Sequence, residues 1–268
     1  MIKDITLGQF FPGKSFIHRL DPRVKLLLSL VYIVSLFSAR GLTAYALNLV
    51  WLVAAFASSK LNMRVVFKGL RPLVLIMAIT SALNIFYTPG RAVWSWGPLT
   101  ASVEGFQTAG YMIVRLVMLV SSTFLLTYTT SPMTLTDAME RVLAPLKKIK
   151  APVHEFAMMI TIALRFIPTL IEETDKIMSA QKARGADFES GRLISRAKAL
   201  TPLLVPLFVS AFRRADELAV AMECRCYNGG GGRTRMRVLR CQKRDAAAVC
   251  VTLLVAAATV TFSALGFA

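Results

Sequence analysis

Two short segments carry the most pointed chemistry in this 268-residue sequence. Ala183-Arg184-Gly185 and Cys224-Arg225-Cys226 each set one arginine between small residues. Aligning them brings Asp175 onto Asp216, Ile177 onto Leu218, Ala180 onto Ala221 and Arg184 onto Arg225. In both copies the arginine ends a stretch with helical periodicity. A guanidinium is a permanently charged planar fork that holds a carboxylate through two parallel hydrogen bonds. Small neighbours let it enter a groove without steric conflict. Two similar knobs suit a partner with two similar sockets, such as a pseudo-symmetric dimer. A second role stays open from the residues alone: both arginines could simply cap helix C-termini, where cations are favoured.

Little else in the sequence could do chemistry. His18 and His154 are the two histidines, and neither lies in a cluster with metal-ligand spacing. No G-x-x-x-x-G-K-[ST] phosphate loop occurs; Gly229 to Gly232 follow a helical stretch and lack the Lys-Ser/Thr sequel. Glu172, Glu173 and Asp175 form an acidic cluster, but Glu172 and Lys176 make an ordinary i,i+4 pair on what reads as a solvated helix face. Cys224 and Cys226 form a C-x-C pair, a weak zinc pattern better read as two small, buryable side chains. No cofactor and no metal site is expected. An integral-membrane enzyme would need His, Asp or Ser clustered at an interface, and the sequence holds no such cluster.

The elements that must carry these segments are set by hydropathy. Apolar residues make up 55% of the chain, charged residues 18%, and the mean hydropathy is +0.57. Residues 41–59, 72–90, 116–136 and 246–268 contain no Asp, Glu, Lys or Arg. Each is long enough to span a bilayer as a helix. Residues 26–39 form a fifth, shorter run. Such a pattern excludes a soluble globular enzyme, a secreted disulfide scaffold and a disordered chain. The segment from Met1 to Leu20 lacks an apolar core of the secretory type, so no cleavable signal peptide is expected.

The net charge of +17 suggests a nucleic-acid partner until its placement is read. Of 32 Lys and Arg residues, 5 lie in positions 1–25, 4 in 60–71 and 20 in 137–245. The positive-inside rule puts those three regions in the cytoplasm. Basicity is then mostly membrane topology, and no nucleic acid is expected.

The expected organisation is an all-α integral membrane protein of about five transmembrane helices, with a cytoplasmic helical domain inserted before the last. Residues 1–130 form a membrane domain of four spans, 131–245 the cytoplasmic domain, and 246–268 the last span. Asp21 and Pro22 open span 1, about Val24 to Ala39, with Lys25 snorkelling to the inner interface. Span 2 covers Leu42 to Ser59, Pro72 opens span 3, and Gly105 to Tyr128 is span 4. Trp94 and Trp96 in the outer loop suit an interfacial belt. Arg115 lies inside span 4, as a functional charge or one within reach of the outer interface. Thr134 to Asp137 fit a capping box. After it Met139, Val142, Leu143, Leu146 and Ile149 repeat on one helix face, kinked at Pro145. Residues 152–185 and 199–227 are helical, with breaks near Pro168, Pro202 and Pro206.

The sequence resembles the transmembrane T component of energy-coupling factor (ECF) transporters over nearly its whole length. ITLGQFFPGKSFIHRLDPRVKLL is similar to the family's N-terminus. ALRFIPTLIEETDKIMSAQKARGADF contains its first Ala-Arg-Gly signature, and FRRADELAVAMECRCY resembles its second signature helix. The second signature departs from the family: Cys224-Arg225-Cys226 stands where Ala-Arg-Gly is usual. Cys226 removes a residue tolerant of positive φ, so the backbone there is expected to differ.

The resemblance implies a subunit without catalysis of its own. Two cytoplasmic ATPases of the ABC type hydrolyse ATP, and a small membrane S component binds a vitamin or metal ion. The T component joins them in the cell membrane among its lipids. Its coupling helices carry Ala183, Arg184, Gly185, Cys224, Arg225 and Cys226 into grooves on the ATPases. An ordinary ABC importer permease, forming the translocation path itself, would instead show a single Glu-Ala-Ala…Gly coupling loop, which the sequence lacks. The topology has a direct check. Cys224, Cys226 and Cys241 should escape a membrane-impermeant maleimide in intact cells, and efficient outside labelling of any of them reverses the orientation.

Overall fold

The computed structural model describes residues 10–96, 99–186, 188, 200–229, 239 and 241–265. Gly97, Pro98, Gly230 to Gly232 and most of the basic segment 233–244 lie outside the described residues. The chain forms two compact units, residues 8–138 with 239–268 and residues 139–238.

The first unit begins with α1 (Pro22–Ser38), which starts as its sequence dictates. Asp21 accepts the Arg23 backbone N–H at 2.9 Å, and Pro22 sits where no N–H is needed. α2 (Leu42–Ser59) follows a tight turn at Gly41, whose φ of 82° is open to glycine at no steric cost. Span 3 begins ahead of Pro72, at Met63. Asn62 caps α3 (Met63–Leu70), a 3-10 turn covers Arg71–Leu73, and α4 (Val74–Tyr87) continues the rod. Pro72 falls in that 3-10 turn rather than at a helix start. An antiparallel hairpin of β1 (Ala92–Trp96) and β2 (Leu99–Ser102) occupies the segment expected to be a loop, with Trp96 opposite Leu99 and a bulge between Ala92 and Trp94. α5 (Val103–Thr129) is capped by the Ser102 hydroxyl on the Gly105 N–H. α9 (Lys243–Ala264) closes the unit.

Among the described residues, five helical stretches are long and apolar enough to cross a membrane: Leu42–Ser59, Met63–Tyr87, Val103–Thr129, Val153–Ala183 and Lys243–Ala264. The chain is thus an all-α integral membrane protein apart from the small hairpin. Membership of the five differs from expectation. α1 has 17 residues, about 25 Å at the helical rise, slightly less than the roughly 30 Å hydrocarbon core. Val153–Ala183 enters the set on its first half, where Phe156 to Ile171 carry a single charge, Arg165.

Polar junctions hold the first unit together. Asn48 is fully buried at mid-α2. Its Nδ2 donates to the Ala44 carbonyl and to Thr259 Oγ1 of α9, each at 2.9 Å. Its Oδ1 accepts from Ser35 of α1 at 2.7 Å, and its carbonyl accepts from the Tyr32 hydroxyl at 3.2 Å. Tyr32, Leu36, Ala44, Leu52, Phe56 and Met118 belong to the apolar core of the same unit. At the other end of α1, Asp245 accepts the Asp21 N–H at 2.8 Å and closes a capping box with Gln242. Lys25 does not snorkel outward. It is buried, and its Nζ donates to the Thr129 carbonyl at 2.9 Å and to Thr130 Oγ1 at 3.3 Å. An ammonium there satisfies the open carbonyl end of α5 and complements its dipole. Ahead of α1, the His18 ring joins Ser15 Oγ at 2.6 Å and the Phe11 carbonyl at 2.9 Å. Burial pulls its pKa below the ordinary 6.5, the Phe11 carbonyl opposes this, and the Lys25 charge adds to the lowering. The neutral ring therefore donates from Nε2 to Phe11 and accepts from Ser15 at Nδ1.

Arg115 lies beside the turn between α1 and α2. Its guanidinium carbon lies 5.8 Å from the Phe37 ring centre and 5.7 Å from that of Tyr45. Those rings belong to the last turn of α1 and the first of α2, so the charge sits level with the α1–α2 turn, on aromatic faces.

In the second part of the chain the helical starts differ from expectation. α6 (Pro132–Val142) is capped by Ser131, whose Oγ accepts the Thr134 N–H, rather than by Thr134 itself. A 3-10 turn over Ala144–Ile149 replaces the kink at Pro145. α7 (Val153–Ala183) and α8 (Thr201–Glu223) run unbroken through Pro168 and Pro206, and Pro202 lies harmlessly in a first turn. Each interior proline forgoes one backbone bond, too little to end helices of 31 and 23 residues.

Replacing Asn48 with Leu should lower stability by about 1–2 kcal/mol, since Ser35 and Thr259 lose their partner where no water competes. Unfolding in detergent checks this. The triple change Asn48→Leu, Ser35→Ala, Thr259→Val should recover part of the loss, because it leaves fewer orphaned polar groups. Equal or greater loss in the triple variant contradicts the junction's role.

Candidate functional site

α7 and α8 end in the same way. At the end of α7 the Gly185 N–H bonds the Lys182 carbonyl at 3.0 Å, and the Ala186 N–H bonds the Gln181 carbonyl at 3.0 Å. At the end of α8 the Cys226 N–H bonds the Glu223 carbonyl at 2.8 Å, and the Tyr227 N–H bonds the Met222 carbonyl at 3.0 Å. Every donor and acceptor of the second set stands at the position that the repeat assigns to its counterpart in the first. This 6→1 and 5→2 pattern is the Schellman closure, which needs one residue in the left-handed region. Gly185 fills that place with φ 86° and Cys226 with φ 55°. The backbone expected to differ at Cys226 therefore does not differ. Hydrogen bonding holds the cysteine in a conformation that a side chain disfavours by roughly 1–2 kcal/mol.

The closure lifts each arginine onto the shoulder of its helix. Ala183, Arg184, Gly185, Cys224, Arg225 and Cys226 are all exposed. Among the described residues no side chain crowds Gly185: a Cβ there would meet nothing within 4 Å. Among the described residues neither guanidinium makes a hydrogen bond or an ion pair. The cysteines are free thiols on the surface rather than buried small residues, as are Cys241 and Cys250. Among the described residues no group of three or more His, Cys, Asp or Glu comes together.

Sequence reasoning missed the contact that joins the two helices. Glu173 is no solvated charge. One carboxylate oxygen accepts from the Ser210 hydroxyl, and the other accepts from Arg214 Nη2 at 3.0 Å. Arg214 is the counterpart of Glu173 in the repeat, so α7 and α8 meet at equivalent points. The signal is present in the alignment, which pairs an acid with a base at this position. The start of α7 is held by a second pair, His154 Nδ1 to Glu140 Oε1 at 2.9 Å.

Residues 13–237 match the family CbiQ, described as cobalt transport protein. The "Energy-coupling factor transporter transmembrane protein EcfT" of Clostridium kluyveri is 55% identical over 258 residues, covering 95% of this chain and 96% of the relative. The protein of the same name from Thermosediminibacter oceani is 51% identical, with 97% and 98% covered. That from Listeria innocua is 45% identical, with 91% and 93% covered. The chain belongs to the family of ECF transporter transmembrane proteins. Its apolar helices and its relatives together make it a multi-pass membrane subunit of an ECF transporter. The family match over residues 13–237 spans both arginine-bearing helices.

As an ECF transmembrane protein with a cysteine at the closing position, this chain offers a local test. Cys226→Gly should relieve the left-handed penalty, slowing hydrogen exchange at the 226 and 227 amides by about fivefold, equivalent to roughly 1 kcal/mol. Gly185→Val should speed exchange at the 185 and 186 amides by at least as much. Unchanged exchange in both variants removes the closure as the element that sets the arginines' position.

Proposed function

We propose that this chain is the scaffold and coupling subunit of an ECF-type importer, docking two cytoplasmic ABC-type ATPases through Arg184 and Arg225. A membrane S component binds the substrate, a vitamin or metal ion. ATP-driven closure of the ATPases moves α7 and α8, and that motion reorients the S component in the cell membrane. The chain itself is not catalytic: its sequence has no phosphate-binding loop. In this scheme residues 1–130 and 246–268 form the membrane domain and residues 131–245 the coupling domain, with the N-terminus and coupling domain in the cytoplasm.

The observation that carries this function is the pair of matched helix ends. If the arginines served only as caps, their side chains would be needed at open carbonyls. Those carbonyls are already met by the amides of residues 185, 186, 226 and 227. Both guanidiniums are left free to bond elsewhere, in equivalent settings at the ends of two related helices. That suits carboxylates presented twice by two similar ATPases.

The double variant Arg184→Ala, Arg225→Ala separates docking from capping. Truncating one member of a buried charge pair typically costs about 2–5 kcal/mol of binding, partly from the charge left unpaired. Either single variant should weaken ATPase pull-down and uptake. The double variant should abolish both at normal membrane abundance. A mere cap is worth about 0.3–1 kcal/mol per site and leaves assembly intact. A double variant that assembles and transports like the parent excludes these arginines as the docking residues.

A further inference from the structure

The loop after α2 and the helix that follows carry a charge pattern that the coupling function does not use. Lys60, Arg64, Lys68 and Arg71 are four cations in close succession, and no Asp or Glu occurs between Asp21 and Glu104. All four are exposed. Among the described residues none of their side chains makes an ion pair or a hydrogen bond. Four unpaired like charges held close together repel one another and favour an anion nearby.

The opposite face of α3 fixes which way they look. Val66 is only 4% exposed, and Gly69 lies so close to Phe124 of α5 that a Cβ would come within 2.6 Å of its ring. With that face packed on α5, Arg64 and Lys68, one helical turn apart, share the outward side. Beside them Met63 and Phe67 are exposed by 46% and 68%. The helical backbone continues through the 3-10 turn into α4 without leaving the right-handed region. There the row changes character. Arg71 is followed at four-residue steps by Leu75, Ile79 and Leu83, all more than half exposed. No residue of α4 is buried.

A cationic end followed by a lengthwise apolar stripe is complementary to one kind of molecule, an amphiphile with an anionic head and hydrocarbon tails. We propose that the 60–87 segment is a binding site for an anionic phospholipid. Lys60, Arg64, Lys68 and Arg71 hold the phosphate, and an acyl chain lies along Leu75, Ile79 and Leu83. Met63 and Phe67 insert at the level of the lipid ester groups. The site belongs to the inner leaflet by the same charge bias that orients the chain. It does not depend on how the arginines of α7 and α8 are used.

Purified, delipidated full-length protein in neutral detergent tests this, by thermal unfolding against added lipid. Phosphatidylglycerol should raise the melting temperature more than phosphatidylcholine with the same acyl chains. The excess should shrink at high salt. The variant K60N/R64Q/K68Q/R71Q should lose the excess, with apparent phosphatidylglycerol affinity down at least about tenfold, and keep the phosphatidylcholine effect. A control, R40Q/R91Q, removes charge from the other end of the spans and should leave the excess in place. If the quadruple variant does not fold, R64Q/R71Q and K60N/K68Q should each lose part of it. Three results overturn the proposal: full retention of the excess in the charge variants, an equal loss in the control, or reproduction of the shift by inorganic phosphate alone. The last would mean a soluble anion site with no part played by the apolar row.

Discussion

A carboxamide in the middle of a membrane helix has no water to fall back on, and Asn48 is in that position. Every polar atom of its side chain must find a partner in protein, and the partners come from three helices. Two of those helices are neighbours in sequence, but Thr259 arrives from 211 residues away. The last helix is therefore specified by a polar match as well as by apolar contact. It is fixed again at Asp245 beside Asp21, and at Ser263 on the Ser38 carbonyl. Apolar surfaces alone would not choose one register among many in lipid, because tails are as apolar as leucine. Three polar points along α9 choose it.

The matched ends of α7 and α8 show backbone geometry prevailing over residue identity. Glycine is the usual occupant of the left-handed closing position, yet Cys226 adopts it and the same two hydrogen bonds form. Two amide bonds at a helix end offset the steric cost of one Cβ. The closure constrains the arginine before it, which is held at the same turn in both copies whatever flanks it.

Much of this is legible in the sequence, and the rest is hidden for identifiable reasons. Charge-free runs locate four of the membrane helices, and capping chemistry locates the Asp21-Pro22 start of α1. The internal repeat locates the arginines. The partner of Glu173 escapes a local reading, because an acid on a charged helix has the same local signature whether it faces water or a neighbour; only the repeat alignment, which sets Arg214 opposite it, carries the signal. Lys25 escapes a local reading for a related reason: its partner carbonyl lies 104 residues away, beyond any local pattern. Pro168 and Pro206 read as breaks, yet a long helix tolerates one missing bond. That α7 is long and apolar enough to cross a membrane is concealed because its charges are gathered in its second half, beside an apolar first half. The β hairpin hides behind a tryptophan-rich loop that also fits an interfacial belt.

The ion pair between Glu173 and Arg214 has a geometric consequence. Arg184 lies as far beyond Glu173 in sequence as Arg225 lies beyond Arg214. Each arginine is thus about 16 Å of helix from the contact. The pair stands where a fulcrum with arms of equal length would stand. A relative rotation of about 10° there would carry each tip through an arc of about 3 Å, the same on both sides. Two tips gripping two similar bodies would then move them symmetrically, without further machinery to balance the strokes.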